Sequence, residues 1–137
     1  MKEAQQRLAN GRSVVPVLLK VAPDLDDEDI DSIATQLAAS ELEGLIATNT
    51  TLERHAVQGH VHADEAGGLS GAPLTQKSAV VVRKFRAKLP ANMPIVGVGG
   101  ISTPDNAVAM LAAGANVLQI YSSFIYEGPK LVQKLVD

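Results

Sequence analysis

The sequence has no cysteine and no tryptophan, only two tyrosines and two phenylalanines, and no long apolar run. Without thiols there is no disulfide framework, no thiolate metal centre and no Cys nucleophile. With 3% aromatic residues there is almost nothing for nucleobases to stack on. Twelve Lys and Arg against 15 Asp and Glu leave no basic footprint, so no nucleic-acid partner is expected. The longest apolar stretch, Val14 to Leu19, is far short of a bilayer span. The opening Met1-Lys2-Glu3-Ala4-Gln5-Gln6 lacks the apolar core of a secretion signal. What is present is 137 residues, 46% hydrophobic and 20% charged, which is too apolar for disorder and sufficient for one packed core. These features lead us to expect a soluble, acidic, intracellular domain.

One rhythm recurs along the chain. Val14 to Leu19 is a continuous apolar run rich in β-branched residues, as expected of a strand buried on both faces. Asp24 to Ser40 reads as a helix, with Asp26 as N-cap, acids in the first turn, and Ile30, Ile33, Ala34, Leu37 and Ala38 at the helical period. Gly44 is expected to stop it before a second strand, Leu45-Ile46-Ala47. After a long connection, Pro73 opens a helix whose stripe is Leu74, Val81, Phe85 and Leu89 and whose basic last turns suit the helix dipole. Ile95 to Val98 is a third strand. Thr103-Pro104-Asp105 caps a helix with Ala107, Met110 and Leu111 facing inward, ended by Gly114. Val117 to Ile120 is a fourth strand, and Gly128-Pro129 starts a last helix carrying Leu131, Val132, Leu135 and Val136. Residues 2–9 read as the tail of an earlier helix stopped by Asn10-Gly11. Alternating strands and helices predict a parallel α/β sheet. Four βα units are either a small doubly wound sheet or half of a (β/α)8 barrel, which needs roughly 250 residues.

In either architecture ligands bind beyond the carboxyl ends of the strands. Those ends carry Lys20-Val21-Ala22-Pro23, Thr48-Asn49-Thr50-Thr51, Gly97-Val98-Gly99-Gly100-Ile101-Ser102 and Tyr121-Ser122-Ser123. Hydroxyls, an amide, glycine backbone and one cation form an inventory for a phosphorylated or polar heterocyclic ligand. Gly99-Gly100 lets backbone N–H groups approach an anion, and Ser122-Ser123 at a helix start adds donors. A dinucleotide fingerprint fits poorly, because Ser102 stands where its third glycine belongs. Lys20, between apolar neighbours, reads as a fixed cation facing an anionic ligand, as a Schiff-base amine, or as a lysine reaching out to solvent. The connection from Thr48 to Gly71 exceeds the roughly 12–15 residues of a passive loop and reads as a solvated or lid-like segment. Its His55, His60 and His62 lack metal-ligand spacing, and the acidic run Asp24 to Asp31 lacks the mid-loop glycine of a calcium site. No metal is expected, and the acidic run reads as helix N-terminal charge.

Five segments stand in one order: Lys20-Val21-Ala22-Pro23-Asp24-Leu25, Thr48-Asn49-Thr50-Thr51, Gly67-Gly68-Leu69-Ser70-Gly71-x-Pro73-Leu74, Gly97-Val98-Gly99-Gly100-Ile101 and Gln119-Ile120-Tyr121-Ser122. Together they closely resemble the carboxyl-terminal half of quinone-dependent (class 2) dihydroorotate dehydrogenases, over nearly the whole chain. The resemblance implies the second half, about four βα units, of a (β/α)8 TIM barrel that oxidises dihydroorotate to orotate in pyrimidine biosynthesis with FMN and a quinone. It places Lys20 beside the flavin ring as a charge that steadies its reduced form, with Thr48 touching the flavin. Asn49 and Thr50 would hydrogen-bond the pyrimidine; an amide both donates to and accepts from an imide-like edge. Gly71, Gly99 and Gly100 would give backbone approach to FMN, and Tyr121 and Ser122 would hold its phosphate.

In that family the serine that takes the substrate proton, further FMN- and orotate-binding asparagines, and the helices that meet membrane and quinone lie in the amino-terminal half. Ser13, Ser32, Ser40, Ser70, Ser78 and Ser102 do not match the base position. The chain therefore reads as a fragment beginning near the fourth helix, without a catalytic base, from a parent peripheral on the cytoplasmic side of the inner membrane. Two readings compete with it. One is another phosphate-binding barrel enzyme, an aldolase or isomerase using Lys20 as a Schiff-base amine. The other is a non-catalytic half-barrel that self-associates, its inward residues Leu18, Ile46, Val96 and Leu118 left uncovered.

Overall fold

A computed structural model describes residues 2–136. Helix α1 (Lys2–Ala9) ends at Asn10 and Gly11, both with positive φ. The remaining order is β1 (Leu18–Val21), α2 (Asp27–Ala39), β2 (Gly44–Ala47), α3 (Thr75–Lys88), β3 (Ile95–Val98), α4 (Pro104–Ala112), β4 (Val117–Gln119), α5 (Ser122–Glu127) and α6 (Lys130–Val136). The strands form one parallel sheet in sequence order, with β1 and β4 as its edges. Consecutive parallel neighbours joined by helices are what half a (β/α)8 barrel contains.

Register assigns the faces. Leu19, Leu45 and Ile95 stand in one row, and Val21, Ala47 and Gly97 in the next. These rows meet the helices: Ile30 and Leu37 of α2, Val82 and Phe85 of α3, and Met110 of α4 are each at most 2% exposed. Each such side chain contributes roughly 1.5–3 kcal/mol by leaving water. The opposite face carries the row Lys20, Ile46, Val96 and Val117, none of them fully buried among the described residues. It is the face a complete barrel turns to its centre.

Local chemistry explains most element ends. The Asp26 carboxylate accepts the Asp29 N–H at 2.8 Å and caps α2. Thr103 Oγ1 accepts the Asn106 N–H at 3.2 Å and caps α4, with Pro104 in its first turn. Arg86, near the end of α3, donates to the carbonyls of Leu89, Pro90 and Met93 and so fixes the descent into β3.

Several expectations need correction. β1 begins at Leu18, not Val14: Pro16 has no N–H to donate to a ladder, and Val15 is 75% exposed. α2 ends at Ala39 with Ser40 as its cap, and Gly44 is instead the first residue of β2. Ala38 and Leu111 face solvent, as do Val132 and Val136. Leu118 lies on the helix side, in register with Gly97, so the uncovered residue of β4 is Val117, 56% exposed. The last helix begins where expected, just after Gly128-Pro129, and Gly128, at φ 68°, separates it from the short helix α5 that starts at Ser122.

Candidate functional site

The four carboxyl ends converge on one cavity of about 450 Å³. Its wall includes Lys20, Thr48, Asn49, Thr50, Gly71, Gly99, Gly100, Tyr121 and Ser122, all nine residues to which the resemblance gives a cofactor or pyrimidine role. Lys20 is not at a strand end, as expected, but inside β1, opposite Ile46. Strand alternation explains its apolar neighbours: Leu19 and Val21 face the helices, and Lys20 faces the cavity. Among the described residues it makes no ion pair, so its charge is free for a ligand.

The second strand end is fixed at several points. Thr48 N–H donates to Val98 O at 2.8 Å, and Asn49 N–H donates to Val21 O at 2.7 Å, tying this turn to both neighbouring strands. Thr48 is 2% exposed, and its hydroxyl donates to Asn49 O at 2.9 Å. That hydroxyl also lies 2.8 Å from Ser78 Oγ on α3. With its single proton committed to Asn49 O, Thr48 accepts there and Ser78 donates. The Asn49 side-chain oxygen accepts the Thr50 N–H at 2.9 Å, which leaves its NH₂ group to the cavity.

The third end is glycine for a steric reason. Gly99 and Gly100 have φ of 119° and 70°, and a Cβ on Gly99 would strike Ser78 while one on Gly100 would lie 2.5 Å from Thr75 Cα. Backbone alone fits between the cavity and α3. Thr75 Oγ1 donates to Gly100 O at 2.7 Å and holds the turn. At the fourth end the Ser122 hydroxyl donates to Ser70 Oγ at 2.9 Å, joining α5 to the Gly-Leu-Ser-Gly segment. The Ser123 hydroxyl, expected as a free donor, is committed to Ile101 O.

The segment between Thr51 and Leu69 is less loose than its composition suggests. Thr51 and Leu69 form an antiparallel bridge, with N–H···O distances of 3.1 and 2.8 Å, closing the base of the excursion. Arg54 donates to carbonyls of Thr51, Glu65 and Gly67 across it. His55, His60 and His62 are exposed, and among the described residues no cluster of three His, Cys, Asp or Glu could hold a metal ion.

Residue-level reading overlooked two supports. Ser78, buried behind Thr48, lies 30 positions away, and only its place on the apolar stripe of α3 hinted at burial. Ser70 carried a signal, its place in Gly-Leu-Ser-Gly, but not its partner.

The dihydroorotate dehydrogenase family model matches residues 1–137. The chain belongs to the dihydroorotate dehydrogenase family. It is 52% identical to the dihydroorotate dehydrogenase (quinone) of Saccharophagus degradans over 138 residues, covering 100% of this chain and 41% of that protein. It is 55% identical to the protein of that name from Burkholderia thailandensis over 137 residues, covering 99% and 40%. The crystal structure of DHODH from Eimeria tenella in complex with ferulenol is similar at a TM-score of 0.84 and 34% identity, over 92% of this chain and 33% of that one. The ligand-free Eimeria tenella structure aligns at 0.78 and 36% identity, over 86% and 33%. The chain thus spans about two fifths of the length of its curated relatives, and its sheet is part of a TIM barrel. These relatives give the aldolase reading no support.

Proposed function

We propose that this chain supplies the carboxyl-terminal half of a quinone-dependent dihydroorotate dehydrogenase, and with it much of an FMN site and one side of an orotate site. The supporting observation is the convergence of four separate strand ends on one cavity with a free cation, an amide, hydroxyls and glycine backbone. These residues fit FMN. The missing side chain of Gly71 leaves open space along the wall, where a Cβ would meet nothing within 4 Å. The backbone N–H groups of Gly99, Gly100 and Ser122 and the Tyr121 hydroxyl offer donors for a phosphate, the Ser122 hydroxyl being committed to Ser70, and Lys20 offers a positive charge for the ring.

These residues would hold FMN, whose ring would supply the two-electron redox chemistry between dihydroorotate and a quinone. The protein groups bind, orient and polarise. Lys20, its backbone fixed in β1, presents a positive charge at the cavity wall, electrostatic support of the kind that favours a developing anion. Asn49, held from behind by Val21 O and Thr50 N–H, orients the pyrimidine edge, with Thr50 beside it. The base that removes the substrate proton comes from outside this chain, as does the quinone and membrane contact that would make the parent peripheral on the cytoplasmic side of the inner membrane. Among the described residues no helix is long and apolar enough to cross a membrane. The partner of the uncovered face is the other half of the barrel.

The test is the full-length protein purified without added cofactor. It is expected to be yellow, to release FMN on denaturation, and to reduce a quinone analogue with dihydroorotate. A colourless, flavin-free protein refutes the reading.

A further inference from the structure

Asp24 lies three residues before α2 begins and serves another element instead. Its carboxylate accepts the Thr51 hydroxyl at 2.5 Å, the Leu52 N–H at 2.8 Å and Lys77 Nζ at 2.6 Å. Lys77, on α3, also meets Glu53 Oε1 at 2.6 Å. Side chains of Asp24 and Lys77 are each 25% exposed, so solvent screens the pair only in part. Three elements meet at one carboxylate: the β1–α2 turn, the start of the excursion, and α3.

We propose that Asp24, aimed by Lys77, is a positioning residue for the pyrimidine-binding pair Asn49 and Thr50. The inference rests on the reading of the cavity as an orotate site. Asp24 does not line that cavity and acts through Thr51, the next residue along. With Thr51 held by Asp24 and Asn49 N–H held by Val21 O, the three-residue turn is fixed at both ends to one short segment, Val21 to Asp24. The Thr51–Leu69 bridge then brings Gly68 against Thr50, so close that a Cβ there would lie 2.5 Å from Thr50 Cβ. The same clasp sets the Thr50 side chain and the Asn49 backbone. Charge-assisted hydrogen bonds of this kind are about twice as strong as neutral ones, which suits a fixing point better than an Asn or Ser would.

The experiment uses the full-length protein with Asp24→Asn, Lys77→Met and Lys77→Arg. Orotate affinity is measured by equilibrium dialysis, FMN content by extraction, and amide exchange at Leu52 and Leu69 by NMR. Asp24→Asn is expected to weaken orotate about tenfold with FMN content unchanged, and to speed exchange at both amides, since bonds to a charged group carry that order of energy. Lys77→Met moves all readouts the same way, and Lys77→Arg restores them. Unchanged orotate affinity in Asp24→Asn overturns the inference alone, as does joint loss of orotate and FMN, which marks a merely structural role. A wild-type protein that binds no orotate overturns the reading of the cavity, and this inference with it.

Discussion

The hydroxyl pair behind the cavity allows a quantitative test of the packing argument. Thr48 Oγ1–H donates to Asn49 O and accepts from Ser78 Oγ–H, with both residues at most 2% exposed. The two partners are therefore not equivalent. Ser78→Ala removes a donor but leaves Thr48 still bonded to Asn49 O, a loss of about 1 kcal/mol for one neutral buried hydrogen bond. Thr48→Val removes the bond to Asn49 O and strands the Ser78 hydroxyl in the core. One lost bond plus one unsatisfied buried donor comes to about 2–4 kcal/mol. The double variant no longer has the stranded donor, so it is expected to cost no more than Thr48→Val alone, with a coupling of about 1–2 kcal/mol. Urea unfolding followed by circular dichroism gives all four corners of the cycle. Additivity within about 0.5 kcal/mol would refute the donor assignment and the claim that Ser78 is satisfied only by Thr48.

Other outcomes follow from the same geometry. Lys20→Ala in the full-length protein should slow flavin reduction about 10²–10³-fold, the usual loss for one preorganised charge, with the urea midpoint unchanged; an unaltered reductive half-reaction makes Lys20 a bystander. Asn49→Ala should weaken orotate by about 1–3 kcal/mol in a titration, by leaving ligand polar groups unpaired, and unchanged affinity removes it from the site. Burial opposes the charge on Asp24, but hydrogen bonds from Lys77, Thr51 and Leu52 outweigh it and hold the carboxyl below its ordinary 3.8. With the folded value depressed, the stabilisation is complete above 3.8 and lost as pH falls through the lowered value. The Asp24 carboxyl ¹³C shift should show a midpoint below 3.8 that rises in Lys77→Met, and a wild-type midpoint at 3.8 contradicts the tether. The 137-residue chain alone, with Val117 56% exposed and two open sheet edges, should self-associate in sedimentation and not turn over dihydroorotate with added FMN. Steady turnover by a monomer refutes that expectation.

Helix caps and the third strand were legible because they depend on neighbours in sequence. Asp26 and Thr103 announce their helices within three residues, and Ile95 to Val98 is an apolar run bounded by Pro94 and Gly99. The phase of a three-residue strand is not local. Val117 and Leu118 are equally apolar, and only the register with Gly97 turns Leu118 to the helices. Asp24 looked like one more acid at a helix start, because its partners stand 28 and 53 positions away. The location of the cavity was legible, since parallel sheets bind at strand carboxyl ends. The supports behind it were not, because Ser78 and Asp24 act through tertiary contacts that no spacing records.

The clasp between Thr51 and Leu69 also separates the geometry of the cavity wall from the length of the chain it encloses. Both ends of the excursion are pinned and Arg54 ties its two arms together, so only the tip beyond those ties is free to vary as a surface appendage. Doubling such a loop costs only about 0.6 kcal/mol in closure entropy, far less than displacing a strand end. Residues 58–64 consist largely of exposed turns, with Val61 86% exposed. This is a natural insertion point for a reporter or affinity tag, at which the barrel rim would keep its shape.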